Sequence, residues 1–332
     1  MYLKVHKGRF FLYNGVMNDY KKLVQILQEE GYSGKTLFDE EMKNHTTFKI
    51  GGKVPVFFEP AELDSLLILL NVLQKNSVRF FILGGGSNIV FCDEGFEGVV
   101  VSLCRINTIE LLQADEINDG DVLVRCGAGT SMAQFVNFCT ANLLEGAEVF
   151  AGLPGTLGGA VFMNARCFEK SISELFVEGW YIDLTTNTEQ HKAFIPSEWD
   201  YKVSPFQNGK SLVLSLTLKL RKSEKTQEEL QAENKKYIEM RRSKGHFDYP
   251  SAGSVFRNNH EFGQPSGKII DSCGLKGKKA GGAQIAPFHG NFIINTGGAT
   301  QKDVKELVNF TVNEVRARTG LILQPEIIFV DK

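Results

Sequence analysis

The sequence predicts an α+β fold. Candidate strands and helices follow one another along its 332 residues without the regular strand–helix–strand alternation of a doubly wound sheet. That length suggests two or three domains, or one large one. Two glycine-rich stretches, 84–88 and 151–164, interrupt the strand and helix patterns where the backbone could approach a ligand closely. With 42% hydrophobic and 23% charged residues, the composition is that of an ordinary globular protein.

Several function classes are disfavoured by composition. A net charge of −2 provides no broad basic field for nucleic acid. The amino terminus, MYLKVHKGRFFLYNG, lacks the features of a signal peptide, and the apolar run 66–73 is too short to span a bilayer. The six cysteines form no C-x-x-C pair and lie mostly among apolar residues. Buried reduced thiols in a cytoplasmic protein are therefore favoured over disulfides or a metal site.

In the first third of the chain, strands alternate with two helices. Residues 1–16 are interpreted as a short strand, and 19–30 as a helix that Gly31 ends. Residues 54–59 form a strand, and Pro60 opens a leucine-rich helix over 61–74. Two buried strand-like runs flank 84–88, and strands follow at 98–103 and 122–127.

The rest of the chain continues the mixed pattern. Residues 130–144 predict a helix, and 180–183 and 211–219 predict strands. Thr226 and Glu229 form a capping box for a charged helix that ends near Lys244. A turn-rich segment (249–259), a helix (267–273) and a strand (291–295) come next. Thr300 caps a helix, and a final strand over 321–330 carries Glu326.

Both glycine stretches offer bare backbone amides. The stretch 151–164 has four glycines in eight positions, which makes it a poor helix or strand interior but a possible anion-binding nest. It matches neither the Rossmann nor the P-loop fingerprint, so a tight irregular connection remains the alternative. A hairpin is the alternative for 84–88. Two such stretches far apart in the chain suggest an extended ligand, such as a dinucleotide.

Seven motifs in a fixed order resemble the UDP-N-acetylenolpyruvoylglucosamine reductase family, in its shorter-loop type. They lie at 44–52, 83–88, 151–164, 251–256, 281–283, 291–295 and 323–327. The resemblance implies a vanillyl-alcohol-oxidase-like, PCMH-type FAD-binding fold with a third α+β substrate-binding domain. The expected units are an N-terminal extension with one helix (1–34), two FAD-binding subdomains (35–103 and 104–222), the substrate-binding domain (223–318) and a C-terminal strand that returns to the active site (319–332).

The resemblance also implies an activity. NADPH would reduce FAD, and the reduced flavin would pass a hydride to UDP-N-acetylglucosamine enolpyruvate, giving UDP-N-acetylmuramate for peptidoglycan synthesis. The enzyme would be a cytoplasmic monomer whose partner is this small nucleotide sugar, with no metal, nucleic acid or membrane. Two alternatives remain open: a flavin-binding homologue with lost or altered activity, and a related flavoprotein oxidase.

Three positions match the family's catalytic residues. Ser254 would protonate the enolate, and Glu326 would assist as a protonated or hydrogen-bonding carboxyl. Lys202 stands where the family has an arginine, in Tyr201-Lys-Val-Ser204, and keeps the charge but not the planar fork. The alternatives are a turn serine, a surface carboxylate and a solvent lysine.

The remaining site residues also come from the resemblance. Lys244, Arg257 and Asn258 would meet the phosphates and carboxylate of the substrate, although the dipole of the preceding helix alone favours a cation at Lys244. Arg166 and Phe168 depart from the family pattern near the flavin, and His289 is interpreted as structural. The positions expected to bind FAD are Phe48, Ile50, Gly51, Leu83, Gly84, Gly85, Gly86, Ser87, Asn88, Gly152, Pro154, Gly155, Thr156, Gly158, Gly159, Ala160 and Asn164.

Overall fold

The computed structural model describes residues 19–112 and 120–332. The strand predicted within 1–16 lies outside these residues. Within the two described ranges, no helix has the length and apolar character needed to cross a membrane.

The first unit is a four-stranded mixed sheet covered by two helices. Its strand order is β1-β2-β5-β3, with β1 antiparallel to β2 and the other pairs parallel. The leucine-rich helix begins at Leu63, so Pro60 does not open it. Pro60 instead ends β2, where it pairs with Gly34. The elements are α1 (Tyr20–Glu29), β1 (Gly34–Glu41), β2 (Lys53–Pro60), α2 (Leu63–Lys75), β3 (Phe80–Leu83), β4 (Ile89–Phe91) and β5 (Val99–Ser102).

The second unit is an antiparallel sheet in the order β12-β11-β13-β7-β6, with β8 also pairing with β13. The leucines of β13 are buried in a core cluster that this unit shares with the helices of the first one. Its elements are β6 (Ile109–Leu112), β7 (Asp121–Gly127), α3 (Met132–Ala141), β8 (Leu144–Glu145), α4 (Leu157–Phe162), β9 (Arg166–Cys167), β10 (Lys170–Ser171), β11 (Phe176–Asp183), β12 (Thr188–Ala193) and β13 (Ser211–Lys222).

The third unit is a small sheet, β14-β17-β16-β15, with its own apolar core. After it the chain returns to the first unit, where β18 pairs in parallel with β4. The predicted capping box at Thr226 and the predicted helix cap at Thr300 are both confirmed, and Thr300 also forms a capping box with Asp303. The elements are α5 (Gln227–Arg242), β14 (Ser251–Ser254), α6 (Ser266–Ser272), β15 (Lys279–Ala280), β16 (Ala283–Ile285), β17 (Phe292–Asn295), α7 (Gln301–Thr319) and β18 (Ile328–Val330).

Two predicted elements differ from the structure near the glycine stretch and the carboxyl terminus. The stretch 151–164 is not wholly irregular, because α4 runs through Gly158 and Gly159 with Thr156 as its N-cap. The final strand covers only Ile328–Val330, so Glu326 precedes it. All six cysteines are free thiols, and three of them are buried. The domain boundaries remain predictions.

Candidate active site

The two glycine stretches, far apart in the chain, touch each other in the structure. A Cβ on Gly85 would lie 2.5 Å from the Cα of Gly155. A Cβ on Gly155, whose φ is +111°, would lie 2.8 Å from Ser87 Oγ, and one on Gly84 would lie 2.7 Å from Thr156 Oγ1. Side chains at these glycines would push the segments apart. The stretches therefore form one continuous backbone surface.

Eight backbone N–H groups on this surface donate no hydrogen bond within the described residues. They belong to 84–88 and to Gly152, Gly155 and Thr156. Unpaired backbone donors of a folded protein need a partner, and a row of them suits an anion. This is the observation by which the surface fits the pyrophosphate of FAD. Pro154, which lies among these residues, is exposed and has no N–H to offer.

The next residues of the stretch use their amides inside the protein. Gly158 donates to Ala128 O, whereas Gly159 and Ala160 donate to Thr156 at the start of α4. Gly158 is required by packing, because its Cβ would lie 2.7 Å from that of Ala128. The expectation that Gly158, Gly159 and Ala160 offer bare amides is therefore wrong: helix formation satisfies these donors.

Four of the predicted cofactor positions are shaped by packing. The side chains of Phe48 and Ile50 lie in the core of the third unit, and Leu83 lies in a core cluster of the first. The carbonyl of Phe48 accepts from Asn295 Nδ2 at 3.1 Å. Gly51 adopts φ +134° with Phe91 and Met42 close by. Any contact of Phe48, Ile50 or Leu83 with a ligand would thus be made mainly by backbone atoms.

Asn164 is buried, with 3% of its surface exposed, and both ends of its amide are used by the protein. Its Nδ2 donates to Asp200 O at 2.8 Å, and its Oδ1 accepts from the backbone N of Ser173 at 3.3 Å. Asn164 therefore holds the turn 200–203 in place, and its side chain has little left to give a cofactor. That turn carries Lys202.

Lys202 and Glu326 form a nearly buried ion pair. Lys202 Nζ lies 2.7 Å from Glu326 Oε1, with the side chains 14% and 8% exposed. Lys202 has φ +60°, and its turn closes through the bond from Val203 N to Asp200 O. An ammonium at this distance stabilises the ionised carboxylate. The carboxyl of Glu326 therefore contacts a cation, and Lys202 is not a solvent lysine.

Glu326 lies between the glycine surface and the strand of Ser254. Its backbone N donates to Val255 O at 2.7 Å. Its carbonyl accepts from Asn88 Nδ2 at 3.2 Å, and Asn88 O in turn accepts from Ile328 N. Asn88 thus connects the glycine loop 84–88 with the segment that carries Glu326.

Ser254 ends β14, opposite Phe292, and its side chain is exposed. The pairing continues beyond β14, because Phe256 forms a bridge with Pro325. Among the described residues, Ser254 Oγ has no hydrogen-bond partner, and it makes none with Glu326. The hydroxyl is therefore free to meet a substrate, on a strand whose next residue, Val255, is bonded to the backbone of Glu326.

The predicted substrate contacts have different surroundings. Arg257 is half-buried and makes no ion pair within the described ranges. Asn258 is exposed, but its Oδ1 accepts from Ser266 N at 2.9 Å, at the start of α6. Lys244 follows the end of α5, with its Nζ 5.5 Å from the ring centre of Phe168. Lys244 thus lies over an aromatic ring of the second unit, whereas Arg257 and Asn258 lie beside α6, and no contact among the described residues brings Lys244 together with the other two.

Phe168 packs on α5, 5.0 Å from the ring of Tyr237, whereas Arg166 is exposed on β9. Arg241, a buried residue of the last turn of α5, was not among the predicted site residues. Arg241 donates from Nε to Ala151 O at 2.9 Å and from Nη2 to Val149 O at 3.3 Å. It anchors the start of the glycine stretch. Helical spacing from Leu230 and Asn234, the other buried residues of α5, distinguishes it from its exposed neighbour Arg242.

Two histidines share a half-buried position beside β17. His246 stacks on Phe292 with ring centres 4.7 Å apart, and His289 lies 4.6 Å from the same ring. Burial, with help from the neighbouring His289, lowers the pKa of His246 to about 4. Burial also lowers the pKa of His289, whose Nδ1 accepts from Asn291 N. This geometry supports a structural role for His289.

Comparison with known proteins agrees with this arrangement. A family model for a FAD binding domain matches residues 54–180, and one for the C-terminal domain of UDP-N-acetylenolpyruvoylglucosamine reductase matches residues 245–330. Enzymes with that name from Treponema denticola and Bacillus subtilis are 43% and 33% identical, over 89% and 92% of this chain and 94% and 97% of their own.

A solved structure of this reductase from Thermus caldophilus is 27% identical and has a TM-score of 0.68, covering 90% of this chain and 99% of its own. The α+β fold, with a FAD-binding part and a third α+β unit, is thereby confirmed. The chain is an FAD-dependent oxidoreductase and belongs to the UDP-N-acetylenolpyruvoylglucosamine reductase family.

Proposed function

We propose that this protein reduces UDP-N-acetylglucosamine enolpyruvate to UDP-N-acetylmuramate with NADPH, as a cytoplasmic, monomeric enzyme of peptidoglycan synthesis. The observation that supports this most directly is the Lys202–Glu326 pair at 2.7 Å, which is joined through Asn88 to the glycine surface and through the backbone of Val255 to the strand of Ser254. Bound FAD would supply the hydride transfer that connects NADPH with the enolpyruvyl group.

The glycine surface would hold the FAD pyrophosphate. The eight unpaired N–H groups of 84–88, Gly152, Gly155 and Thr156 supply donors, and the absence of side chains on the glycines lets the phosphates approach. Asn164 and Arg241 would act indirectly. Asn164 positions the turn that carries Lys202, and Arg241 positions the start of the glycine stretch.

Lys202 would stabilise the transition state for hydride addition. Negative charge develops on the enolate beside the substrate carboxylate, and a preorganised ammonium in a largely water-excluded place lowers the energy of that charge. Glu326 holds the ammonium in position and partly neutralises it before the substrate arrives. An arginine would stabilise the same charge through the fixed, planar arrangement of its guanidinium donors. Lys202 keeps the positive charge, but its ammonium has less fixed geometry.

Ser254 would complete the reaction by protonating the enolate carbon. Its hydroxyl is exposed and without a partner among described residues, so it can turn towards the substrate. A serine is a weak acid, and the ammonium of Lys202 would make its transient alkoxide tolerable. Solvent, which reaches the exposed side chain, then returns the proton.

The cations of Lys244 and Arg257 would bind the substrate. The diphosphate and carboxylate of the nucleotide sugar are anionic, and both side chains are free of ion pairs within the described residues. Asn258 would contribute its Nδ2, since its Oδ1 is already used. We expect substitutions at Lys244 and Arg257 to raise KM more than they lower kcat.

The test is NADPH oxidation under anaerobic conditions, with and without UDP-N-acetylglucosamine enolpyruvate. Substrate-dependent oxidation that yields UDP-N-acetylmuramate is the expected result. Oxidation that requires oxygen and ignores the substrate would indicate a flavoprotein oxidase. FAD uptake without either reaction would indicate a homologue that has lost the activity.

The separate roles are tested by following the two half-reactions in stopped flow. Ser254→Ala should leave flavin reduction by NADPH unchanged and slow flavin reoxidation by substrate by about 10²- to 10⁴-fold. Ser272→Ala, a change at an exposed serine of α6, serves as the control. Unchanged rates for both Lys202→Arg and Lys202→Ala would remove Lys202 from the mechanism.

A further inference from the structure

The motif 44–52 folds into a tight turn that contacts both the glycine loop 84–88 and the third unit. The turn closes through the bond from Lys49 N to Thr46 O at 3.3 Å. The side chain of Phe48 is buried in the core of the third unit, and its carbonyl accepts from a side-chain amide at the end of β17. Packing and hydrogen bonds therefore hold this turn against the third unit.

Thr47, within this turn, makes one hydrogen bond to each side. Its backbone N donates to Gly86 O at 3.1 Å, and its hydroxyl donates to Ser251 O at 2.7 Å, 204 positions further along the chain. Gly86 has φ +62°, and a Cβ there would collide with His45 O, so the glycine loop rests directly on the backbone before the turn. The N–H of Gly86 is one of the free donors that we assign to the FAD pyrophosphate.

The strand that Thr47 contacts is the one that carries Ser254. β14 begins at Ser251 and ends at Ser254, and its pairing with β17 shifts register between these two residues. Gly253, inside this irregular part, has φ +73°. A bulge disrupts the ladder of hydrogen bonds locally, so the sheet alone fixes Ser254 less firmly than a regular strand pair would.

Both ends of this strand are connected to the loop 84–88. At one end, Val255 O accepts from Glu326 N at 2.7 Å, and Glu326 O accepts from Asn88 Nδ2 at 3.2 Å. At the other end, the connection runs through Thr47. A ligand that orders the loop would therefore also restrict β14 from both ends.

We propose that Thr47 is a positioning residue, which couples the cofactor loop 84–88 to β14 and thereby sets where Ser254 meets the substrate. Its role is geometric, because its hydroxyl has one proton and donates it to Ser251 O. The effect on the reaction rests on the proposed function, whereas the coupling between the loop and the strand does not.

The coupling is measured without substrate, by amide hydrogen exchange of residues 251–256 in the presence and absence of FAD. FAD should slow this exchange at least about threefold in the wild type and in Thr47→Ser, which keeps the hydroxyl. Thr47→Val keeps the branched shape and lacks the hydroxyl, and it should lose most of this protection. Equal protection by FAD in the wild type and Thr47→Val would overturn the proposal.

Stopped flow then tests the consequence for the reaction. Thr47→Val should slow flavin reoxidation by substrate about 10- to 100-fold and change flavin reduction by NADPH less than about twofold. Thr47→Ser should restore most of the rate. In a Ser254→Ala background, Thr47→Val should cost less than about threefold more, because the group that it positions is gone. Fully additive losses, or equal losses in both half-reactions, would overturn the role.

Thr311→Val is the matched control. Thr311 is fully buried in the third unit, and its hydroxyl also donates to a backbone carbonyl, Leu307 O, at 2.7 Å, but within α7. This change should alter neither the FAD-dependent protection nor either half-reaction. The same losses in Thr311→Val as in Thr47→Val would show general destabilisation and refute the proposal. A wild type with FAD-dependent protection but no substrate-dependent NADPH oxidation would instead refute the proposed function and leave the coupling standing.

Discussion

The ion pair between Lys202 and Glu326 allows a quantitative prediction. Two unit charges 2.7 Å apart attract each other by about 6 kcal/mol at an effective dielectric constant of about 20, before the cost of desolvating them. Lys202→Met keeps the length of the side chain and removes the ammonium. Because Glu326 is only 8% exposed, its carboxylate is then left buried and unpaired. The free energy of unfolding should fall by about 3–5 kcal/mol.

A double-mutant cycle separates the pair from the rest of the site. Glu326→Gln should also be destabilising, whereas Lys202→Met with Glu326→Gln leaves neither charge unpaired and should regain most of the loss. We expect a coupling energy of about 2–3 kcal/mol. The assay is equilibrium urea unfolding of cofactor-free protein at neutral pH, because bound FAD would add its own binding free energy to the stability.

An exposed pair in the same chain provides the control. Arg242 and Glu239 lie 2.6 Å apart with both side chains 59% exposed, and their coupling should be at most about 0.5 kcal/mol. High salt should reduce the coupling of the control pair further and leave that of Lys202 and Glu326 largely intact. If the single changes at Lys202 and Glu326 each cost under about 0.5 kcal/mol and simply add, the buried ion pair is not formed in solution.

Three further changes test other parts of the structure. Gly85→Ala would place a Cβ 2.5 Å from the backbone of Gly155 and should lower the free energy of unfolding by about 1–3 kcal/mol. Gly159→Ala is the control, because the nearest atom would lie 3.5 Å from its Cβ, and it should cause no such loss. Urea unfolding of both variants measures the difference. Asn164→Ala removes both protein hydrogen bonds of a buried amide and should cost about 2 kcal/mol or more in the same assay; an unchanged midpoint would contradict that geometry. In the folded protein the pKa of His246 is about 4, whereas in the unfolded chain it is about 6.5. Between these two pH values the unfolded chain binds a proton that the folded protein does not, so the free energy of unfolding should fall as the pH drops from 6.5 to 4. His246→Phe keeps the ring stack and should lose less stability over that window; equal losses in thermal unfolding would refute the assignment.

Local signals in the sequence predicted many elements well. Thr226 and Thr300 were assigned as helix caps because a capping box needs only residues three positions apart. Pro60 was assigned wrongly, since a proline suits both a helix start and the end of a strand, and only its pairing with Gly34 decides between them. The last strand is shorter than predicted for a similar reason. Only residues 328–330 have a neighbouring strand, β4, to pair with.

The sequence by itself determined the α+β class, the family resemblance, and that the glycines of 84–88 and 151–164 belong at places of close backbone approach. These properties depend on residue type and short-range spacing, which a linear chain records directly. Only the tertiary structure decided that the two stretches form one surface, that Gly158 serves packing, and that Lys202 faces Glu326. Contacts between residues tens of positions apart, or more than a hundred in the case of Lys202 and Glu326, arise from the packing of whole sheets, and no local pattern encodes them.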